Sequence, residues 1–195
     1  MQSLETVHIE SSRLVLRPVA LEDTPDIFRE FNTKVTRFLR SKPCRTLKQT
    51  ENKVRHFILG QIKGTDLHLT ILNRQNLEFI GMCEVHQVDT RVPAVGIWLK
   101  KSAHGSGLGR EAIHTLKIWI DQNFDYDYLI YPVDRKNIPS RKIPEGLGGY
   151  IARAYQERNA AGYILNLLEY RIEQSSGNGL NPRSKNSGVS LKCKP

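Results

Sequence analysis

WLKKSAHGSGLGREA, residues 98–112, carries an apolar alternating stretch into glycines at 105, 107 and 109 and then directly into a helical pattern. From Ser106 onward Leu108, Ala112, Ile113, Leu116, Trp119 and Ile120 recur at steps of three and four, one apolar stripe of an amphipathic helix. A strand, a glycine turn and a helix N-terminus in that order make an anion site, against the alternative of a glycine turn at a helix start with no ligand. Glycine lets backbone N–H groups curve around phosphate oxygens with no Cβ in the way, and the helix start adds about half a positive charge. Lys100, Lys101 and Arg110 flank the turn and are available to neutralise further phosphate charge. The dinucleotide fingerprint G-x-G-x-x-G needs Gly or Ala at 110, where Arg110 stands, and the P-loop's Gly-Lys-Ser/Thr is missing. Neither NAD nor ATP is favoured.

Working outward, the segments before the turn read as an antiparallel meander: HLTIL (68–72), FIGMCEVHQV (79–88) and VPAVGIWLKK (92–101), joined by short polar connections. Upstream, RLVLRPV (13–19) is a strand stopped at Pro18, and LEDTPDIFREF (21–31) a short helix with Asp23 placed to cap it. Thr46-Leu-Lys-Gln49 is a capping box, and Val54, Phe57, Ile58 and Ile62 continue a second helix that Gly64 closes. Downstream, YDYLIYPV (126–133) is a strand, NIPSRKIPEGLGG (137–149) a Pro- and Gly-interrupted helix, and YIARAY and YILNLLEYRI two more strands. The expected order is β-α-α-β-β-β-α-β-α-β-β, a single α/β (α+β) domain over 1–172 with a mixed, largely antiparallel central sheet flanked by helices. Residues 173–195, polar and basic without periodicity, read as a flexible tail.

The 195 residues suffice for one core, and the net charge of +9 points to an anionic partner. No stretch approaches the ~18 apolar residues of a spanning helix, and MQSLETVHIE lacks a signal-peptide order, so a cytoplasmic protein with no membrane partner is expected. Cys44, Cys83 and Cys193 form no framework or ligand spacing, so no metal is expected. Cys44 and Cys83 read as small core residues.

His104-Gly105-Ser106-Gly107-Leu108-Gly109 resembles the Gln/Arg-x-x-Gly-x-Gly/Ala signature of the GNAT superfamily of N-acetyltransferases, with His at its first position. Asn137-Ile-Pro-Ser140-Arg-Lys-Ile-Pro-Glu145-Gly-Leu-Gly148 looks like that family's second motif, and RLVLRP and VTRFL (35–39) resemble the branch of ribosomal-protein N-terminal acetyltransferases. The resemblance covers roughly residues 8–172. It implies acetyl-CoA as cosubstrate, its pyrophosphate on His104, Gly105, Ser106, Gly107, Gly109 and Arg110, and its pantetheine arm along the main chain of Ile97 and Leu99. Asn137 has two readings, a contact to that arm or a helix cap.

Acetyl transfer to an amine needs a neutral amine, a polarised carbonyl and a proton for the departing thiolate. The resemblance makes Ser140 a proton donor to the sulfur, against the alternative that its hydroxyl satisfies its own helix start. Relatives often carry Glu where Ala94 stands, so the base is sought elsewhere. Glu84 and His86, two apart on one strand and sharing a face with Ile80 and Met82, are candidates, against the alternative of ordinary surface groups; Tyr131 is a third option. Pro144 is expected to kink or shorten its helix. The acceptor, a small amine or a protein N-terminus, is expected to be selected by loops 32–46 and 86–94, with the chain a monomer or homodimer. The rival reading is a catalytically inactive GNAT-like protein binding RNA or the ribosome through its basic surface; no RNA motif supports it, and nucleic acid is not the expected partner.

Overall fold

The structure, a computed structural model, describes residues 4–175. Its eight strands form one sheet in the order β1-β2-β3-β4-β5-β6-β8-β7. They are β1 (Ile9–Glu10), β2 (Leu14–Pro18), β3 (Asp66–Asn73), β4 (Phe79–His86), β5 (Ala94–Leu99), β6 (Tyr128–Asp134), β7 (Tyr150–Arg158) and β8 (Ile164–Glu173). The helices are α1 (Thr24–Glu30), α2 (Leu47–Lys63), α3 (Leu108–Asn123) and α4 (Ile138–Glu145). Every element expected from the sequence is present, with two-residue β1 as an addition. All neighbours run antiparallel except β5 and β6, which are parallel and pair only at Ala94↔Ile130. With no further pairing, these two strands part toward their C-terminal ends.

Odd-numbered side chains of β3 (Leu67, Leu69, Ile71) pack with Ala112, Ile113, Leu116 and Ile120 of α3 in the larger core. A smaller cluster on the other face holds Val19, Ile27, Val54, Leu72, Phe79 and Met82 under α1 and α2. Sequence parity puts Ile80 with Met82, and the structure corrects this: the register slips between Ile71 and Leu72, whose partners are Gly81 and Phe79. The bulge leaves Ile80 on the α3 side and Phe79 beside Met82, since one extra residue inverts the alternation. Gly81 is fixed by close approach, because a Cβ there would lie 2.2 Å from the Trp98 carbonyl oxygen.

Helix α2 begins as expected, with the Gln49 N–H donating to Thr46 Oγ1 at 3.2 Å, and ends at Gly64 with φ of 73°. The reciprocal arm of the box differs, since Gln49 Oε1 accepts from the Arg45 N–H. Ile62, expected on the buried stripe, is exposed. Pro144 ends α4 early instead of kinking its middle, with Glu145 the last helical residue. The tail expectation needs trimming: Glu173 ends β8, and the Gln174 amide donates to the carbonyls of Asp121 and Phe124. The rest of that segment, from 176, lies outside the described residues.

Asp23 makes no capping bond to α1. Buried at 5% exposure, it accepts from Arg17 at 2.9 and 2.7 Å, from the Ala20 N–H at 2.9 Å and from the Thr70 hydroxyl at 2.7 Å, binding β2, β3 and the entry to α1 into one network. Asp23→Ala orphans the Thr70 hydroxyl and the Ala20 N–H and leaves Arg17 unpaired, so a loss of about 3 kcal/mol is expected. For a domain of this size that lowers Tm by about 6–12 °C, measurable by calorimetry, and an unchanged Tm would show that water replaces the carboxylate.

Candidate active site

The glycine turn sits where β5 hands over to α3. Gly105 and Gly107 have φ of 82° and 80°, in the left-handed region that side-chain-bearing residues avoid, and Gly107 is the N-cap of α3. A Cβ at Gly105 meets nothing within 4 Å, so the outer side of the turn is open to a ligand. The turn is braced from beneath. Ser106 Oγ donates to the Ala103 carbonyl at 2.9 Å, Arg13 Nη1 donates to the Ser106 carbonyl at 3.0 Å, and His104 Nε2 lies 3.0 Å from the Leu99 carbonyl. The Leu99 carbonyl is therefore already engaged, while Arg110 is exposed on the first turn of α3.

Glu111 ties this turn to β2. Its carboxylate accepts from the Ser11 and Ser12 hydroxyls at 2.7 and 2.9 Å and from the Arg13 N–H at 2.9 Å, and Arg13 Nε donates to its second oxygen. Partial burial alone would raise its pKa, but these donors outweigh it and hold the group at about 2, below its ordinary 4.5. Because the folded value is the lower one, the stabilisation is present above about pH 4.5 and is lost as pH falls from there toward 2. Urea unfolding at pH 5 and pH 3 is expected to show a smaller acid-induced loss for Glu111→Gln than for the parent, and equal losses would overturn this role.

Beyond the parting of β5 and β6 lies a cleft of about 260 Å³. It is lined by Ile97, Tyr131, Asn137 and Ser140 and by Met82, Glu84 and His86 from β4. Phe31 and Phe57 come from the end of α1 and from α2, and Phe38, Leu39, Arg40, Ser41 and Cys44 from the loop at 32–46. That loop is held by the β7–β8 turn, where the Ala160 N–H donates to the Arg40 carbonyl at 2.8 Å and Asn159 Nδ2 to that of Leu39 at 3.2 Å. Of the second expected loop, 86–94, only its ends, His86 and Ala94, line the cleft.

Ser140 does not satisfy its own helix start, because its hydroxyl lies 2.9 Å from the Tyr131 hydroxyl. Burial pushes Tyr131 up to about 12 despite that bond, so it stays a phenol. Asn137 occupies the N-cap position of α4 with no capping bond from its side chain, which excludes the cap reading and leaves that side chain on the cleft wall. Cys83 is a core residue with its thiol pushed up by burial, but Cys44 lines the cleft and departs from that expectation.

Glu84 and His86 are not ordinary surface groups. Glu84 stands across from Gly96, where a Cβ would lie 2.7 Å from Glu84 Oε1, so glycine at 96 makes room for this carboxylate. His86 Nδ1 is 2.8 Å from Asp66 Oδ1, and its Nε2 is 3.5 Å from Glu84 Oε1. Burial would raise Glu84, but the imidazoles of His68 and His86 more than offset it and hold the group at about 2. Glu84 above all, with Asp66, raises His86 to about 9 against the opposing effect of burial. At neutral pH the cleft thus presents the Glu84 carboxylate and the His86 imidazolium, with the Asp66 carboxylate behind that imidazolium, an environment of net negative charge suited to a cationic amine.

The sequence reading missed Asp66, His68, Lys53 and Phe57. A signal existed for the first two: Asp66-x-His68 and Glu84-x-His86 share one parity on paired strands, visible once the hairpin register is known.

A family model described as an acetyltransferase (GNAT) domain matches residues 13–149. The chain belongs to the GNAT acetyltransferases. It is an acyltransferase, and its fold is that of the family, a mixed α/β sheet flanked by four helices. Among solved structures it is similar to an acetyl transferase from Salmonella typhimurium that modifies the N-terminal serine of ribosomal protein L7/L12. That match has 16% identity, covers 86% of this chain and 99% of the other, and has a TM-score of 0.75. A GNAT-family acetyltransferase from Bacillus anthracis matches at 14% identity over 86% and 99% of the chains, with a TM-score of 0.73. A ribosomal L7/L12 alpha-N-protein acetyltransferase in complex with coenzyme A matches at 16% identity over 87% and 100%, with a TM-score of 0.72. No curated protein matches the chain. Among the described residues no helix is long and apolar enough to cross a membrane.

Proposed function

We propose that this acetyltransferase moves the acetyl group of acetyl-CoA to a primary amine, a protein N-terminus or a small amine, by direct attack. The observation that carries the reading is one cleft lined both by a hydroxyl pair, Ser140 and Tyr131, and by a carboxylate–imidazole pair, Glu84 and His86, in a domain whose open glycine turn sits at a helix N-terminus. Acetyl-CoA supplies an activated thioester carbonyl. The N–H groups of His104 to Arg110, capped by left-handed Gly105 and Gly107, suit a diphosphate, and Ile97, Leu99 and Asn137 border the path of the arm.

Glu84, ionised, orients the incoming ammonium, and His86, held by Asp66, part-exposed and raised by Glu84 to about 9, takes up the proton in its neutral form and passes it to solvent. The freed amine nitrogen bonds to the carbonyl carbon, and the C–S bond breaks. Ser140, held by the Tyr131 hydroxyl, donates a proton to the departing sulfur and recovers the proton that the attacking nitrogen sheds as the amide forms, while Tyr131 remains a phenol. No covalent enzyme intermediate is required.

The test is a thermal-shift titration with acetyl-CoA and CoA against ATP and NAD, followed by thiol release with a panel of amines and N-terminal peptides. A ligand at 100 times its Kd adds about 2.7 kcal/mol, so a selective rise with the two CoA species is expected. Absence of that rise, or of thiol release with every amine, overturns the proposal.

A further inference from the structure

Asp66 and His86 are directly opposed across β3 and β4, as are His68 and Glu84. Alternate residues on one strand point to one face, and opposed residues stand about 5 Å apart, so Asp66-x-His68 and Glu84-x-His86 form a two-by-two grid of donors on the α2 side of the sheet. One donor atom each from Asp66, His68 and His86 lies within 4.8 Å of the others. Glu84 closes the grid, its two oxygens 3.5 Å from His68 Nδ1 and 3.5 Å from His86 Nε2.

His68 separates this cluster from an ordinary ion-pair network. Its side chain is 5% exposed, its ring stacks on Phe57 with centroids 4.0 Å apart, and its Nδ1 has no hydrogen-bond partner. The 3.5 Å to Glu84 is too long for a good hydrogen bond, and a buried unpaired imidazole nitrogen is costly unless something else meets it. The ring is thus fixed in place with a free nitrogen aimed at two carboxylates and a second imidazole. Asp66 is supported in turn, its other oxygen accepting from the Thr65 hydroxyl at 2.8 Å, as the outer partners of metal ligands commonly do.

We propose that Asp66, His68, Glu84 and His86 bind a divalent transition-metal ion of the zinc class. Two imidazoles with carboxylates suit Zn²⁺, Co²⁺ or Ni²⁺, whereas Mg²⁺ and Ca²⁺ require oxygen-rich cages. Donors about 2.0–2.1 Å from zinc lie roughly 3.3 Å apart, so the cluster must contract on binding. The mobile partners are His86 and Asp66, with side chains 43% and 29% exposed, closing on a fixed His68. The expectation of no metal rested on cysteine counts and ligand spacing within one segment, whereas these ligands come from two strands. Because Glu84 and His86 line the acceptor end of the cleft, the bound ion withdraws the proton acceptor and inhibits transfer, a consequence that rests on the proposed function.

The test is a Co²⁺ titration of the chelator-treated full chain, free of any affinity tag, followed by visible absorption, with Zn²⁺ competition. The expected result is one equivalent of Co²⁺ giving intense low-symmetry d–d bands that Zn²⁺ abolishes, with affinity weakened about tenfold or more in both His68→Gln and Asp66→Asn. Circular dichroism verifies that both variants are folded, and Asp66→Asn, at a half-buried strand end, is the safer of the two. Only weak aquo-ion bands would show that no ion is bound and overturn the proposal, and equal affinity in the folded Asp66→Asn variant would assign the ion to other histidines such as His8 or His104 and overturn it as well. The spectrum reads metal binding even if the chain acetylates no amine, so the two proposals fail separately.

Discussion

Glu84→Gln is expected to lower kcat by about two to three orders of magnitude while leaving the acetyl-CoA thermal shift intact. A positioned acid or base contributes about 10²–10⁴-fold, and Gln keeps the volume that fills the space over Gly96 while losing the charge that holds the ammonium and keeps His86 basic. The change acts at the acceptor end of the cleft, so KM for acetyl-CoA is expected to stay within about twofold. Steady-state thiol release with saturating amine measures both. A variant with parental kcat would remove Glu84 from the reaction and leave amine deprotonation to His86 alone or to solvent. The same substitution with kcat intact but KM for the amine raised would assign it to binding alone.

Gly107→Val is expected to abolish acetyl-CoA binding, removing the whole ligand-induced rise in Tm, about 2.7 kcal/mol at 100 times the parental Kd. Gly107 combines a φ of 80° with the N-cap position of α3, and a β-branched residue there must leave the left-handed region. The N–H groups that form the turn then lose their common direction. The strain is also expected to cost about 1–3 kcal/mol of stability, which a parallel unfolding curve separates from the loss of binding. Gly105→Ala is a milder companion: its Cβ enters open space, so the fold persists with a binding defect that follows the strain at φ of 82°. If Gly107→Val folds and still shifts with acetyl-CoA, the pyrophosphate does not sit on this turn.

The two variants report on separate places, the glycine turn before α3 and the β4 side of the cleft, and their independence is part of the expectation. Loss of binding without an effect on acid–base chemistry, and the reverse, are the pattern of a site in which α3 holds the cosubstrate and β4 receives the amine. Peptides with a free N-terminus and small amines both belong in the acceptor panel. In this chain the cleft also carries Phe31, Phe57 and Trp98, with Phe31 and Trp98 in edge-to-face contact at 4.8 Å, so apolar amines belong in the same panel.

Sequence by itself determined the order of elements, because each is written in local chemistry. Thr46 and Gln49 start α2, Gly64 stops it, and the apolar stripe from Leu108 to Ile120 forces an amphipathic α3 after the glycines. It also marked Gly107 and Ser140, whose motifs lie within a few residues. What only the tertiary structure decided are contacts between segments far apart in the chain. Asp23 reads locally as a cap, yet Arg17 and Thr70 claim it, since a buried carboxylate takes the partners that neutralise it. Ile80 reads by parity as a neighbour of Met82, yet the bulge against Ile71 and Leu72 turns it to the opposite face. Glu84 and His86 read as a pair on one strand, and register alone places Asp66 and His68 opposite them and Gly96 beneath the carboxylate. Periodicity reports which way a side chain points along its own strand, whereas what it meets there depends on pairing across loops whose length carries no record of register.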